Sequence, residues 1–134
     1  LAARIELATE LSELSRMDAW LARVVTEAGA LPAAAQAARL CLHELVANVI
    51  QYGYPDGRAG RIAVAVSPEG GALHVTLEDD GIAFDPLAAP EAKPMTGLDD
   101  AQVGGYGIKL FRESSRAASH VRDGGVNRLS FTCG

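Results

Sequence analysis

Leu11, Leu14, Met17, Leu21, Val24 and Val25 recur at steps of three and four residues, the spacing of a helix with one apolar face. The pattern predicts a helix from Leu11 that ends near Gly29. Before it, Arg4 to Ala8 alternates weakly and reads as an edge strand. Leu31-Pro32 opens a second helix, because proline is tolerated in a first turn that has no amide partner to lose. That helix runs through an alanine-rich stretch to about Tyr52, and Gly53, Pro55, Asp56 and Gly57 stop it in a turn.

The period then changes from helical to alternating. Arg61–Ser67 and Leu73–Asp79 read as two strands joined through Pro68-Glu69-Gly70-Gly71-Ala72. Residues 80–106 hold proline and glycine with no steady period, and a loop of that length inside a compact domain points to a functional cover. Helical spacing resumes over Gly107–Ala117. Two last strands, Ser119–Arg122 and Arg128–Cys133, flank the turn Asp123-Gly124-Gly125. The order of elements describes one α+β domain over residues 1–134.

Composition narrows the function classes. With 134 residues and 49% hydrophobic residues, a single domain has enough apolar material for a core. No apolar run reaches the ~18 residues of a membrane span, so no membrane association is expected. The residues Leu1 to Glu6 lack the charged and then apolar order of a signal peptide. The chain starts on Leu1 rather than Met, as a trimmed chain or a piece of a larger protein would. A net charge of −5 argues against direct nucleic-acid binding. The excess is local: Glu78, Asp79, Asp80, Asp85, Glu91, Asp99 and Asp100 are opposed within that stretch by Lys93 alone. Cys41 and Cys133 share no metal-type spacing with His43, His74 or His120 and read as two buried thiols in a reducing cytoplasm.

Three segments carry candidate chemistry. On the second helix Ala38, Leu42, Leu45 and Val49 share the face that packs on a sheet, while Glu44 and Asn48 stack one turn apart on its edge. A carboxylate there can take a proton and a carboxamide oxygen can ligate Mg²⁺, although an ordinary polar helix edge looks the same. In Glu78-Asp79-Asp80-Gly81-Ile82-Ala83-Phe84-Asp85-Pro86, acids at a strand end precede a glycine, so an Asp can accept from an exocyclic amine while Gly81 admits a flat base. Gly104-Gly105-Tyr106-Gly107-Ile108-Lys109-Leu110 runs glycines into a helix start, where free amides make a phosphate site. Lys109, Arg112 and Arg116 follow at helical steps.

In this order the three segments resemble the GHKL ATPase superfamily, and within it the anti-sigma-factor serine/threonine kinase branch. His43-Glu44-Leu45-Val46-Ala47-Asn48-Val49-Ile50-Gln51-Tyr52-Gly53-Tyr54 is similar to that branch's N box. Asp79-x-Gly81-x-x-Phe84-Asp85-Pro86 is similar to its first glycine box, and Gly104-Gly105-x-Gly107-Ile108 to its second. The resemblance implies a two-layer α/β sandwich, with a mixed, mostly antiparallel sheet covered on one face by helices. It implies Glu44 as general base, Asn48 as Mg²⁺ ligand, Asp79 on the adenine amine and Gly81 along the base. Gly104, Gly105 and Gly107 would face the phosphates, Asn127 would stand near the adenine where relatives place a Thr, and residues 86–103 would form the ATP lid.

The function so implied is that of a cytoplasmic, ATP- or ADP- and Mg²⁺-binding anti-sigma regulatory factor. It would hold a sigma factor and phosphorylate an anti-sigma antagonist, with a homodimer left open. The alternative is a non-catalytic partner-switching module of the same fold, with or without nucleotide. The departures from the family pattern bear on that choice. The lid lacks the Arg that active relatives often carry, Arg116 stands where they usually have an acid, and His43 replaces the acid before the base. Lys93, Lys109 and Arg112 are the cations available near the transferring phosphate.

Overall fold

The computed structural model describes residues 2–88 and 111–134. Strand β1 (Ala3–Ala8) leads to helices α1 (Glu13–Glu27) and α2 (Pro32–Tyr52). The hairpin strands β2 (Arg61–Glu69) and β3 (Ala72–Asp79) follow, and a second hairpin, β4 (Arg116–Asp123) and β5 (Val126–Cys133), closes the fold. The sheet order is β1-β2-β3-β5-β4, so the two hairpins meet where β3 pairs with β5. All pairings among the described residues are antiparallel, where the chain pattern allowed a mixed sheet. No described helix is long and apolar enough to cross a membrane.

One face of the sheet is the core. Ile5, Leu7, Ile62, Val64, Val66, Leu73, Val75, Leu77, Leu129 and Phe131 alternate along their strands and meet Met17, Leu21, Leu42 and Leu45 from the two helices. The predicted α2 face is the one that packs: Ala38, Leu42 and Leu45 are buried and Val49 lies against the same cluster. Each fully buried large aliphatic side chain contributes about 1.5–3 kcal/mol, so this face, rather than helix propensity, holds α2 in place. Cys41 on α2 and Cys133 on β5 are buried free thiols. The hydrogen bond between them, together with burial, pushes the Cys41 thiol well above its ordinary range.

The elements match the sequence pattern with local changes. α2 begins at Pro32, after an extended Leu31 with φ −63° and ψ 145°, and ends on the Gly53 amide, which donates to the Val49 carbonyl at 2.8 Å. α1 starts at Glu13, not Leu11, because the Glu13 carboxylate caps outward, accepting from the Ala8 amide at 2.9 Å, and leaves Leu11 exposed. The last predicted helix is cut short. Residues 111–114 are helical, but Arg116 already pairs with Thr132, and Ala117 at φ 54° sits in a register shift between Arg116 and Ser119. Ring contact between Phe111 and Phe131, with centroids 5.0 Å apart and edge to face, seats that helical turn on the sheet. The closing turn is the two residues Gly124 and Gly125, at φ 59° and 79°, which the right-handed twist of a tight hairpin requires.

Candidate functional site

Where α2 ends, the chain after β3 passes directly over it. The Ile82 amide donates to the Gly53 carbonyl at 2.9 Å, and a Cβ on Gly81 would stand 2.7 Å from that same oxygen. Only a glycine fits so close to another backbone. Tyr54 pins the junction. Its hydroxyl donates to Asp80 Oδ1 at 2.8 Å, and the Arg61 amide donates to the same oxygen at 2.9 Å. Arg58 lies 4.9 Å from the Tyr54 ring centroid and 3.6 Å from Asp80 Oδ2. Burial raises the Asp80 carboxyl, but the Arg61 amide, the Tyr54 hydroxyl and the Arg58 charge together hold it below its ordinary value. Burial and the contact with Asp80 push the Tyr54 phenol up.

Beyond that junction opens a largely apolar cavity of about 240 Å³. Leu45, Val49, Leu77 and Leu129 form its walls, Ile82, Phe84 and Tyr52 its rim, and Asn48, Asp79, His120 and Asn127 its polar groups. Asp79, at the end of β3, is 8% exposed. Its Oδ1 accepts from the Gly81 amide at 2.9 Å and from Asn127 Nδ2 at 3.0 Å. Burial pushes its carboxyl above the ordinary value, with those two hydrogen bonds and the Arg122 charge opposing. A buried carboxylate with one oxygen saturated, in a largely apolar cavity, suits an apolar ligand that presents an N–H donor.

The structure gathers Asn48, Asp79 and Asn127 at this cavity, while Gly81 lies beside it, its amide on Asp79 Oδ1, and is not among the lining residues. Glu44 is half-buried one turn before Asn48 and is not among the cavity's lining residues. Gly104, Gly105 and Gly107, with Lys93 and Lys109, lie outside the described residues, as does the lid beyond Ala88. Of the basic residues read at helical steps, two are described, and Arg116 proves to lie on a strand instead of a helix. Arg112 donates to the Pro86 and Leu87 carbonyls at 3.3 and 3.0 Å, holding the first turn after the cavity rim. Arg116 is on β4, where it reaches the Gly134 carbonyl at 3.2 Å.

Three participants were not evident from motif reading: Tyr54, Arg122, whose Nη1 donates to the Gly81 carbonyl at 3.0 Å, and His120. The signal for the last two was the Gly124-Gly125 turn. It fixes the register so that Arg122 opposes Asn127 and His120 opposes Leu129, on one face. Gly81→Ala is expected to cost about 2 kcal/mol, since its Cβ meets backbone at Gly53 and, at 3.0 Å, Asp79 Oδ1. Urea unfolding with an unchanged m-value checks this, and a midpoint equal to wild type would mean that the loop shifts without cost.

Residues 7–133 match the family model for the histidine kinase-like ATPase domain. The serine/threonine-protein kinase BtrW of Bordetella bronchiseptica is 31% identical over 93 residues, which is 69% of this chain and 66% of that relative. The chain therefore spans just under two thirds of the length of this curated relative. On the family match over nearly its whole length, and on a cavity that places Asn48, Asp79 and Asn127 together, the chain belongs to the histidine kinase-like ATPase domain family of the GHKL type.

Proposed function

We propose that this domain binds ATP or ADP in the cavity and acts as an anti-sigma regulatory factor that transfers the terminal phosphoryl group to a serine or threonine of an anti-sigma antagonist. The observation that carries the reading is Asp79, a buried carboxylate whose Oδ1 is occupied by Gly81 and Asn127. Its other oxygen is left to accept the adenine amine, while Ile82 and Phe84 flank the base at the rim. Gly104, Gly105 and Gly107 would give amides to the phosphates. Glu44 would take the proton of the attacking hydroxyl.

Asn48 suits a Mg²⁺ that arrives with the nucleotide. It offers one oxygen at the cavity wall, and no group of three His, Cys, Asp or Glu among the described residues could hold a metal by itself. When bound, the ion would neutralise charge on the phosphates. Supporting the kinase reading is the relative whose name records a serine/threonine-protein kinase. The expected partners are a sigma factor and its antagonist, in the cytoplasm, with no direct nucleic-acid contact and with a homodimer as one assembly.

One observation favours the second reading, a non-catalytic nucleotide-holding, partner-switching module. Arg112 gives two hydrogen bonds to backbone carbonyls at the start of the lid, so this cation has a structural task. Calorimetric titration with ATP and ADP, with and without Mg²⁺, tests the shared core of both readings. Micromolar binding that strengthens with Mg²⁺, and loses that gain in Asn48→Ala, is expected. No binding at millimolar nucleotide would remove the nucleotide from the function altogether.

A further inference from the structure

We propose that His120 is a positioning residue for base recognition: it fixes the Asn127 carboxamide and, through it, aims the Asp79 carboxylate. This rests on the nucleotide-binding reading of the cavity. Asn127 is 5% exposed, and each side of its carboxamide is defined. Nδ2 donates to Asp79 Oδ1 at 3.0 Å and to the Ile82 carbonyl at 2.8 Å. Oδ1 faces the Phe84 amide and His120 Nε2, both at 3.4 Å. Two acceptors at Nδ2 and the Phe84 amide donor at Oδ1 admit a single orientation of the carboxamide.

A flipped carboxamide would set N–H against N–H at Phe84, and oxygen against oxygen at Asp79 and Ile82. The same logic assigns the histidine. Because Asn127 Oδ1 is an acceptor, His120 Nε2 carries the proton and donates. His120 Nδ1 lies 3.7 Å from Asp85 Oδ2, beyond hydrogen-bond reach, and the side chain is only 10% exposed, so packing restricts the ring. Asp85 is itself fixed, since its Oδ1 accepts from the Leu87 amide at 2.9 Å. The hydrogen-bonded chain His120–Asn127–Asp79 thus runs from β4 to the carboxylate at the base of the cavity.

With Asn127 locked, Asp79 Oδ1 always has two donors and Oδ2 is the oxygen turned to the ligand. Without the His120 donor the amide is held on its oxygen side by Phe84 alone, so the carboxamide and Asp79 sample other settings. The effect falls on the recognition of a base amine and leaves the apolar walls and the phosphate contacts alone.

The test compares ATP with purine riboside triphosphate, which lacks the exocyclic amine, by calorimetry in Mg²⁺ buffer. Wild type is expected to prefer ATP. In His120→Phe, which fills the space without a donor, ATP affinity is expected to fall about 3–10-fold while that of the analogue stays within about twofold. His120→Gln, with an N–H at similar reach, is expected to restore ATP affinity. Equal loss for both nucleotides, no loss, or failure of Gln to rescue would overturn the proposal. The ¹⁵N-labelled free proteins give a readout that needs no nucleotide. The Asn127 side-chain amide protons should be resolved and slowly exchanging in wild type and His120→Gln, and fast in His120→Phe. Equal protection in His120→Phe would overturn the role of His120 even if no nucleotide bound. A wild type that fails to distinguish the two nucleotides would instead sink the assignment of Asp79 to the base amine.

Discussion

Asp79→Asn is expected to weaken nucleotide binding about 100-fold and to raise the melting temperature of the free protein. Its Oδ1 can still accept from the Gly81 amide and Asn127 Nδ2, so the loop keeps its shape. The other position becomes an N–H that faces the adenine amine, donor against donor. Losing a charge-assisted hydrogen bond and leaving two donors unpaired costs affinity on the order of 100-fold. Stability moves the other way because burial raises the Asp79 carboxyl. A folded state that holds the proton more tightly than the unfolded chain gains stability at low pH and loses it as pH rises through the folded pKa. Above the folded pKa the cost of the buried charge is present, and the amide removes it. Thermal melts at pH 7 and at acid pH check this: the advantage of Asp79→Asn should shrink as the pH falls. A variant that melts lower than wild type at pH 7 would show that the carboxylate stabilises its loop.

Glu44→Gln is expected to lower ATP turnover by about 10²–10⁴-fold and to leave the ATP dissociation constant within about twofold. The asymmetry follows from position. Glu44 lies one turn before Asn48 on the same helix edge but outside the lining of the base cavity, so it contributes to neither the apolar walls nor the Asp79 network. Release of labelled phosphate from ATP, with water as acceptor, measures the first quantity and calorimetry the second. Turnover equal to wild type would place the base elsewhere. A parallel loss of binding would mean that Glu44 supports the helix end instead of the reaction.

The helical half of the site was legible because its determinants are local. Leu31-Pro32 and Gly53 bracket α2, and the apolar repeat Ala38, Leu42, Leu45, Val49 orients it, which sends Asn48 toward the cavity without any knowledge of the sheet. Asp79 and Gly81 were legible for a similar reason: a strand end followed by glycine marks where backbone comes close to something. His120, Arg122 and Tyr54 depend on partners 7 to 41 residues away, His120 on Asn127, Tyr54 on Asp80, and Arg122 on Gly81. No helical or alternating period encodes those meetings; the register of the β4–β5 hairpin, the β3–β5 pairing and the Gly53–Gly81 contact create them. The helix read through Ala117 stopped early for the same kind of reason, since pairing of Arg116 with Thr132 outweighs a short run of helical spacing.

The two thiols have a practical consequence. Cys41 and Cys133 are 0% exposed, so a maleimide has no sulfur to reach on the native protein. A cysteine placed at exposed Ser15 or Asp123 would therefore take a fluorophore site-selectively in the natural background. Stripping the native cysteines first would be the riskier course, because each truncation opens a void between α2 and β5 under the helix that carries Glu44 and Asn48.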